Sequence, residues 1–301
     1  MRDEALLDAL STPAGTYLDR HLGMTKEWFP HELVPWGQGR DFTPDETWDP
    51  DEFALPDAVR SALLVNLLTE DNLPFYFHAI ECRFPGSGAW STWNRRWTAE
   101  EGRHSIVIRD WLMVTRAIDP VALERGRMHQ VCVGFDQPIA GAAECLAYVT
   151  LQELATRIAH RNTGRLLPEG AGREIMARVA GDENLHYLFY RDVATAAFEA
   201  DPSAMMIAVE RQVRDFEMPG TGIEGFQMHA SAIAAAGIYD FVIHHDQILV
   251  PVVLRHWRVA ELEGLSPEAE HAREKLIDRI DRIGRVARRL AERRDEQLAR
   301  A

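Results

Sequence analysis

Gln152-Glu153-Leu154-Ala155-Thr156, a loop at Pro168-Glu169-Gly170-Ala171-Gly172, and Asp182-Glu183-Asn184-Leu185-His186 together decide the fold of this 301-residue chain. Apolar spacing on both sides of the loop is helical, and a proline with two glycines interrupts it. One helix therefore carries a lone glutamate, Glu153, and the next carries a Glu-x-x-His unit 30 residues later. Positions i and i+3 share a helix face, so Glu183 and His186 aim at a common point. The pattern also occurs upstream, where Glu70 precedes Glu101-Gly102-Arg103-His104 by 31 residues. One Glu-x-x-His unit arises easily by chance. Two, each preceded by a glutamate at nearly the same interval, read as two helical hairpins with matching side chains.

Packed as a four-helix bundle, these hairpins bring Glu70, Glu101, His104, Glu153, Glu183 and His186 into one core, the arrangement used to hold two iron or manganese ions. Four buried glutamates alone would be strongly unfavourable. Two divalent cations cancel their charge, and carboxylate with imidazole suits iron or manganese better than a soft metal. The competing reading places all six on solvated faces of amphipathic helices. Their neighbours oppose it, because Glu70 follows Leu63-Leu64-Val65-Asn66-Leu67-Leu68 and Glu153 follows Val149-Thr150-Leu151.

Outward from these hairpins the chain reads as helix nearly throughout. Segments are predicted at about 57–83, 90–118, 120–130, 138–163, 171–200, 203–216, 226–257 and 266–299. Asp119-Pro120 and Ser266-Pro267 place a capping side chain before a proline at the first helical position. Pro74 and Pro251 fall inside helical patterns and predict local bends. Residues 1–50 are expected to be irregular apart from one short helix, 57–200 to form the bundle core, and 203–299 to add flanking helices. The expected architecture is a single all-α domain over 1–301.

Composition narrows the function classes. A net charge of −14 argues against general nucleic-acid binding. No apolar run is long enough to span a bilayer, and the first residues do not look like a signal peptide. Three cysteines without paired spacing suggest a reducing cytoplasm.

The motifs resemble a known family, the soluble acyl-acyl-carrier-protein desaturases of plant plastids and actinobacteria, whose fold is a ferritin-like four-helix bundle with additional helices. The resemblance covers about residues 22–290. It rests on Trp28-Phe29-Pro30, Thr69-Glu70 through Pro74, Trp97 through His104, Gln152 through Arg165, Asp182 through His186, and Trp257 through Ser266. It implies that Glu70, Glu101, His104, Glu153, Glu183 and His186 ligate two irons, with manganese as a substitute. It also implies that Thr156 lies beside the oxygen-binding face, and that Asp182 and Trp28 link to His104 on an electron route. An acyl carrier protein bearing the fatty-acyl substrate, a ferredoxin-like electron donor and a homodimer are implied as well. Ala79, Arg83, Cys145 and Leu146 depart from the pattern expected of an acyl channel.

Other readings stay open on sequence: a di-iron hydroxylase or N-oxygenase, a ferritin-type iron store, or a non-catalytic acyl-binding protein. An acidic carrier would need a basic patch on this acidic chain. The candidates are Arg157, Arg161, Arg165, Arg173 and Arg178, extended by Lys26. His244-His245-Asp246 is more simply a polar helix face than a second metal site.

Overall fold

The computed structural model describes residues 3–43, 45–135 and 139–298, with side chains to 296. Its helices are α1 (Asp3–Met24), α2 (Pro30–Leu33), α3 (Asp57–Glu70), α4 (Leu73–Arg83), α5 (Ala89–Thr115), α6 (Pro120–Val133), α7 (Ala142–Leu166), α8 (Ala171–Ala200), α9 (Pro202–Asp215), α10 (Phe226–Ala235), α11 (Phe241–His244) and α12 (Pro267–Leu298). Among the described residues there is no strand, and no helix is long and apolar enough to cross a membrane.

The central bundle is α3, α5, α7 and α8, packed as the two predicted hairpins. Short connections between long helices favour antiparallel neighbours. Close backbone approach sets the fit. A Cβ on Gly164 of α7 would sit 2.7 Å from the Met176 Cβ of α8, and one on Gly172 would meet the Trp111 ring of α5 at 2.4 Å. Helices α9 and α12 pair and cover one side, and α10 lies on α3.

Three expectations are corrected. Residues 3–24 form a long helix where irregular chain was expected. Leu6, Leu10, Ala14, Leu18 and His21 are its buried residues, and they face mainly α8 and α5. Pro13 disguises the pattern. An interior proline costs about 3 kcal/mol, but each fully buried leucine offsets roughly 1.5–3 kcal/mol, so tertiary packing prevails.

The predicted helix 57–83 is two helices broken at Asp71-Asn72. Pro74 opens the first turn of α4, where its missing amide costs nothing. The bend expected at Pro74 is thus a full break, placed directly after Glu70.

The predicted helix 226–257 is also divided. Gly237 adopts φ +68°, a left-handed conformation that suits glycine. Asp240 then starts a new helix, its side chain accepting the Ile243 amide at 2.9 Å. From His245 to His256 the backbone widens into a π-helix containing Pro251. The Trp257 amide reaches the Val252 carbonyl, five residues back, at 2.9 Å. The bend predicted at Pro251 is therefore a widening spread over the whole segment.

Candidate metal centre

Glu70 ends α3 and Glu153 sits mid-way along α7. Glu101 and His104 lie one turn apart on α5, and Glu183 and His186 one turn apart on α8. All six are buried, none more than 6% exposed. Glu70, Glu101, His104 and Glu183 bring ligand atoms within 4.8 Å of one another, and so do Glu101, Glu153, Glu183 and His186. Glu101 and Glu183 belong to both sets. Glu70 with His104, and Glu153 with His186, each belong to one.

The hydrogen-bond pattern tests whether these residues fit metal ions. Glu153 Oε2, Glu183 Oε2 and His104 Nδ1 are buried and make no hydrogen bond, and His186 Nδ1 lies 2.8 Å from Glu101 Oε1. Buried polar atoms are normally satisfied outside such a cluster, and all of these point into it. Atoms facing away from it are held. Trp97 Nε1 donates to Glu153 Oε1 at 3.1 Å, and His160 Nε2 lies 3.1 Å from Glu70 Oε1. The donor set therefore fits two divalent cations of the iron or manganese type.

Each histidine has an outer carboxylate. His104 Nε2 is 3.5 Å from Asp182 Oδ2, which also accepts from Trp28 Nε1 and Arg103, both at 2.9 Å. The Trp28 ring lies parallel to His104, 6.5 Å away. His186 Nε2 is 3.0 Å from Glu100 Oε2. That oxygen also faces His21 Nε2 at 2.9 Å, and Arg96 donates to Oε1 at 2.6 Å. The two halves match: the residue before the glutamate of each Glu-x-x-His unit holds the other hairpin's histidine.

Charge follows this geometry. Burial raises the Glu183 carboxyl well above the usual carboxylate range, and Glu101 and Glu153 add to the rise. Burial opposes protonation of His104, but Glu101 and Asp182 raise it well above the ordinary histidine value. Burial likewise opposes protonation of His186, and Glu100 and Glu101 raise it well above that value. Glu100 is held low despite its burial, through hydrogen bonds from His186 and His21. An ionised Glu100 has no proton to give, so both rings donate to it through Nε2, which leaves Nδ1 as the His186 nitrogen turned toward the cluster.

Thr156 sits one turn beyond Glu153. Its hydroxyl donates to the Gln152 carbonyl and accepts from Gln152 Nε2, both at 2.9 Å. Two cavities approach the centre on either side of this pair. One, of about 260 Å³, is walled by Phe75, Ile80, Trp97, Tyr148, Val149 and Gln152 among others. The second, about 110 Å³ and mostly apolar, is walled by Glu70, Thr156, Ala159, Phe226 and Ile233 among others. Ala79, Arg83 and Cys145 line the larger cavity, whereas Leu146 is fully buried in the core. The Arg83 guanidinium donates to the Ile139 carbonyl at 2.9 and 2.6 Å.

The expected basic patch divides. Arg157, Arg161 and Arg165 follow one stripe of α7, and the first and last of them depress Arg161 alongside its burial. Lys26 and Arg178 instead line an open groove with Glu174 and Asp182. His244 is buried and bonded to the Tyr239 hydroxyl at 2.9 Å, and His245 pairs with Asp246, so this triplet gathers no metal set.

Sequence reasoning gave no role to Glu100, His21, Trp97 or His160. A weak signal existed for two of them, since Glu100 directly precedes the first Glu-x-x-His unit and His160 lies two turns after Glu153. Nothing local marks His21.

Comparison with known proteins agrees with this geometry. A family model described as fatty acid desaturase matches residues 2–301. A Mycobacterium tuberculosis protein named as an acyl-acyl-carrier-protein desaturase, DesA1, is 41% identical over 286 residues, covering 92% of this chain and 84% of the relative. The chloroplastic stearoyl-acyl-carrier-protein 9-desaturase 6 of Arabidopsis thaliana is 32% identical over 268 residues, covering 81% of this chain and 66% of that protein. The X-ray structure of M. tuberculosis DesA2 superposes with a TM-score of 0.70 at 27% identity, covering 89% of this chain and 99% of that one.

Proposed function

The chain belongs to the fatty acid desaturase family, and from that premise we propose that it introduces a double bond into a fatty-acyl chain carried on acyl carrier protein. Glu70, Glu101, His104, Glu153, Glu183 and His186 would hold two iron ions, with manganese as a substitute. The observation that carries the reading is the mainly apolar cavity whose wall includes Gln152 and Trp97, the latter bonded to Glu153 of the buried cluster. A long unactivated chain fits such a wall, and a small polar substrate does not.

Bound iron supplies the oxidising power to break unactivated C–H bonds with dioxygen. Balance requires two electrons and two protons per dioxygen, giving two waters and one alkene. The electrons come from a ferredoxin-like donor, and Trp28 and Asp182 lie on their route to His104. Thr156 holds or passes a proton beside the centre. The apolar walls keep bulk water away and align adjacent carbons with the metals. The working form is a homodimer, and three free cysteines fit a reducing cytoplasm.

The test is aerobic turnover of the iron-loaded chain with a reduced donor and a series of acyl carriers, with products read by mass spectrometry. The expected product has lost two hydrogens, and Glu153→Ala abolishes both bound iron and product. A hydroxylated product would transfer the chain to another oxidation class. Equal use of acyl-CoA would remove the carrier protein from the reading.

A further inference from the structure

The eight residues from His21, in the last turn of α1, to Trp28, in the connection beyond it, reach both halves of the buried centre. His21 meets Glu100, which meets His186, and Trp28 meets Asp182, which meets His104. His21, Glu100 and His186 are 3%, 2% and 0% exposed, so water does not compete for these contacts. Two aromatic neighbours fix His21 further. Its ring meets Trp93 edge-on at 4.9 Å and stacks on His186 at 5.8 Å. The buried face from Leu6 to Leu18 anchors the helix that delivers it.

We propose that α1 is a working part of the metal centre: Glu100, fixed by His21 and Arg96, is the positioning residue for His186. The contacts of Asp182 with Trp28, Arg103 and His104, already described, serve as the comparison for it.

The chemistry runs through hydrogen-bond direction. A ligating imidazole must present a lone pair to the metal, so its other nitrogen must carry the proton and needs an acceptor. Glu100 Oε2 is that acceptor for His186. With both His186 and His21 donating to it, the oxygen is held on two sides, and Arg96 on Oε1 prevents the carboxylate from rotating. Arg96 also cancels the charge, so the assembly adds no net charge to an already anionic core. Without His21, Glu100 keeps Arg96 on Oε1 but loses one of the two donors on Oε2. The acceptor for His186 is then held less firmly, while His104 keeps Asp182, Trp28 and Arg103.

The inference therefore predicts an asymmetric effect, in which one metal of the pair weakens and the other does not. It rests on the metal-binding reading above, and the experiment separates the two. Metal is stripped with a chelator, and ferrous ion is titrated back anaerobically with calorimetric readout. The wild-type chain is expected to take two ions. In Glu100→Gln and His21→Phe one ion weakens about 10–100-fold, the usual effect of removing an outer partner of a ligand, and the other stays within about twofold. His21→Gln, which restores an N–H donor at similar reach, recovers most of the loss. Asp182→Asn weakens one ion in the same way, and the double variant Glu100→Gln/Asp182→Asn weakens both. His21→Phe keeps a ring in the Trp93 contact, so it carries the test if Glu100→Gln fails to fold. Wild-type affinity for both ions in folded His21→Phe would overturn the inference, as would equal weakening of both ions. A wild-type chain that takes no metal would instead overturn the metal reading itself.

Discussion

His160 of α7 reaches across the bundle to Glu70 at the end of α3, with Nε2 3.1 Å from Oε1, while Trp97 of α5 reaches back to Glu153 of α7 at the same distance. Each hairpin thus steadies the other's lone glutamate. His160→Phe and Trp97→Phe should each keep the fold and weaken metal binding by about 10–100-fold. Ferrous titration checks this, and unchanged affinity in both would show that the crossing contacts serve packing alone.

Thr156 spends its hydroxyl proton on the Gln152 carbonyl and accepts from the Gln152 amide. Thr156→Val keeps the shape and removes both bonds. Metal content should be unchanged, while turnover falls roughly tenfold or more if the hydroxyl relays protons. Dioxygen consumed per product, measured with an oxygen electrode, should rise. An unchanged ratio and rate would remove Thr156 from the reaction.

Protons compete with metals for this cluster. His104 and His186 titrate well above 6.5, and Glu183 well above the carboxylate range. Metal binding near neutral pH should therefore release protons and strengthen as pH rises. Calorimetry in buffers of different ionisation enthalpy measures the release. The sign for stability follows. Raised values contribute stability that is present below the unfolded pKa and lost as pH rises through the folded one. Thermal unfolding of the chelator-stripped chain should show stability falling through Glu183 from about pH 4.5 and through the two histidines from about pH 6.5 upward, and the metal-loaded chain should lack the fall above pH 6.5. Glu100, Glu101 and Asp182 are shifted downward, so their loss belongs to acid pH and does not overlap the histidine window.

Arg157, Arg161 and Arg165 have no acidic ion-pair partner among the described residues, in contrast to Arg127 with Asp71 and Arg211 with Glu144. A like-charged stripe on a chain of net charge −14 suits an acidic carrier. Binding of a loaded carrier should weaken with salt. Arg161→Glu/Arg165→Glu should cost more affinity than Arg285→Glu/Arg289→Glu on α12. Arg294 is a poor control, because it is tied to Asp240 and the Ala234 carbonyl. A greater loss from the α12 reversals would move the docking face.

The two hairpins and the six converging side chains were legible in the sequence because they depend on local rules. Helix periodicity puts Glu101 with His104, and Glu183 with His186. A short loop returns α8 along α7, and near-equal spacing aligns the lone glutamates. Tertiary structure alone decided the rest. Glu100 meets His21 across 79 residues and His186 across 86, and no local pattern encodes such a meeting. Helix α1 forms despite Pro13 because its apolar face is buried against helices supplied from far along the chain. The π-helix through Pro251 and the break after Glu70 arise likewise where a proline removes one backbone bond, and only the surrounding packing settles whether the chain bends, widens or stops.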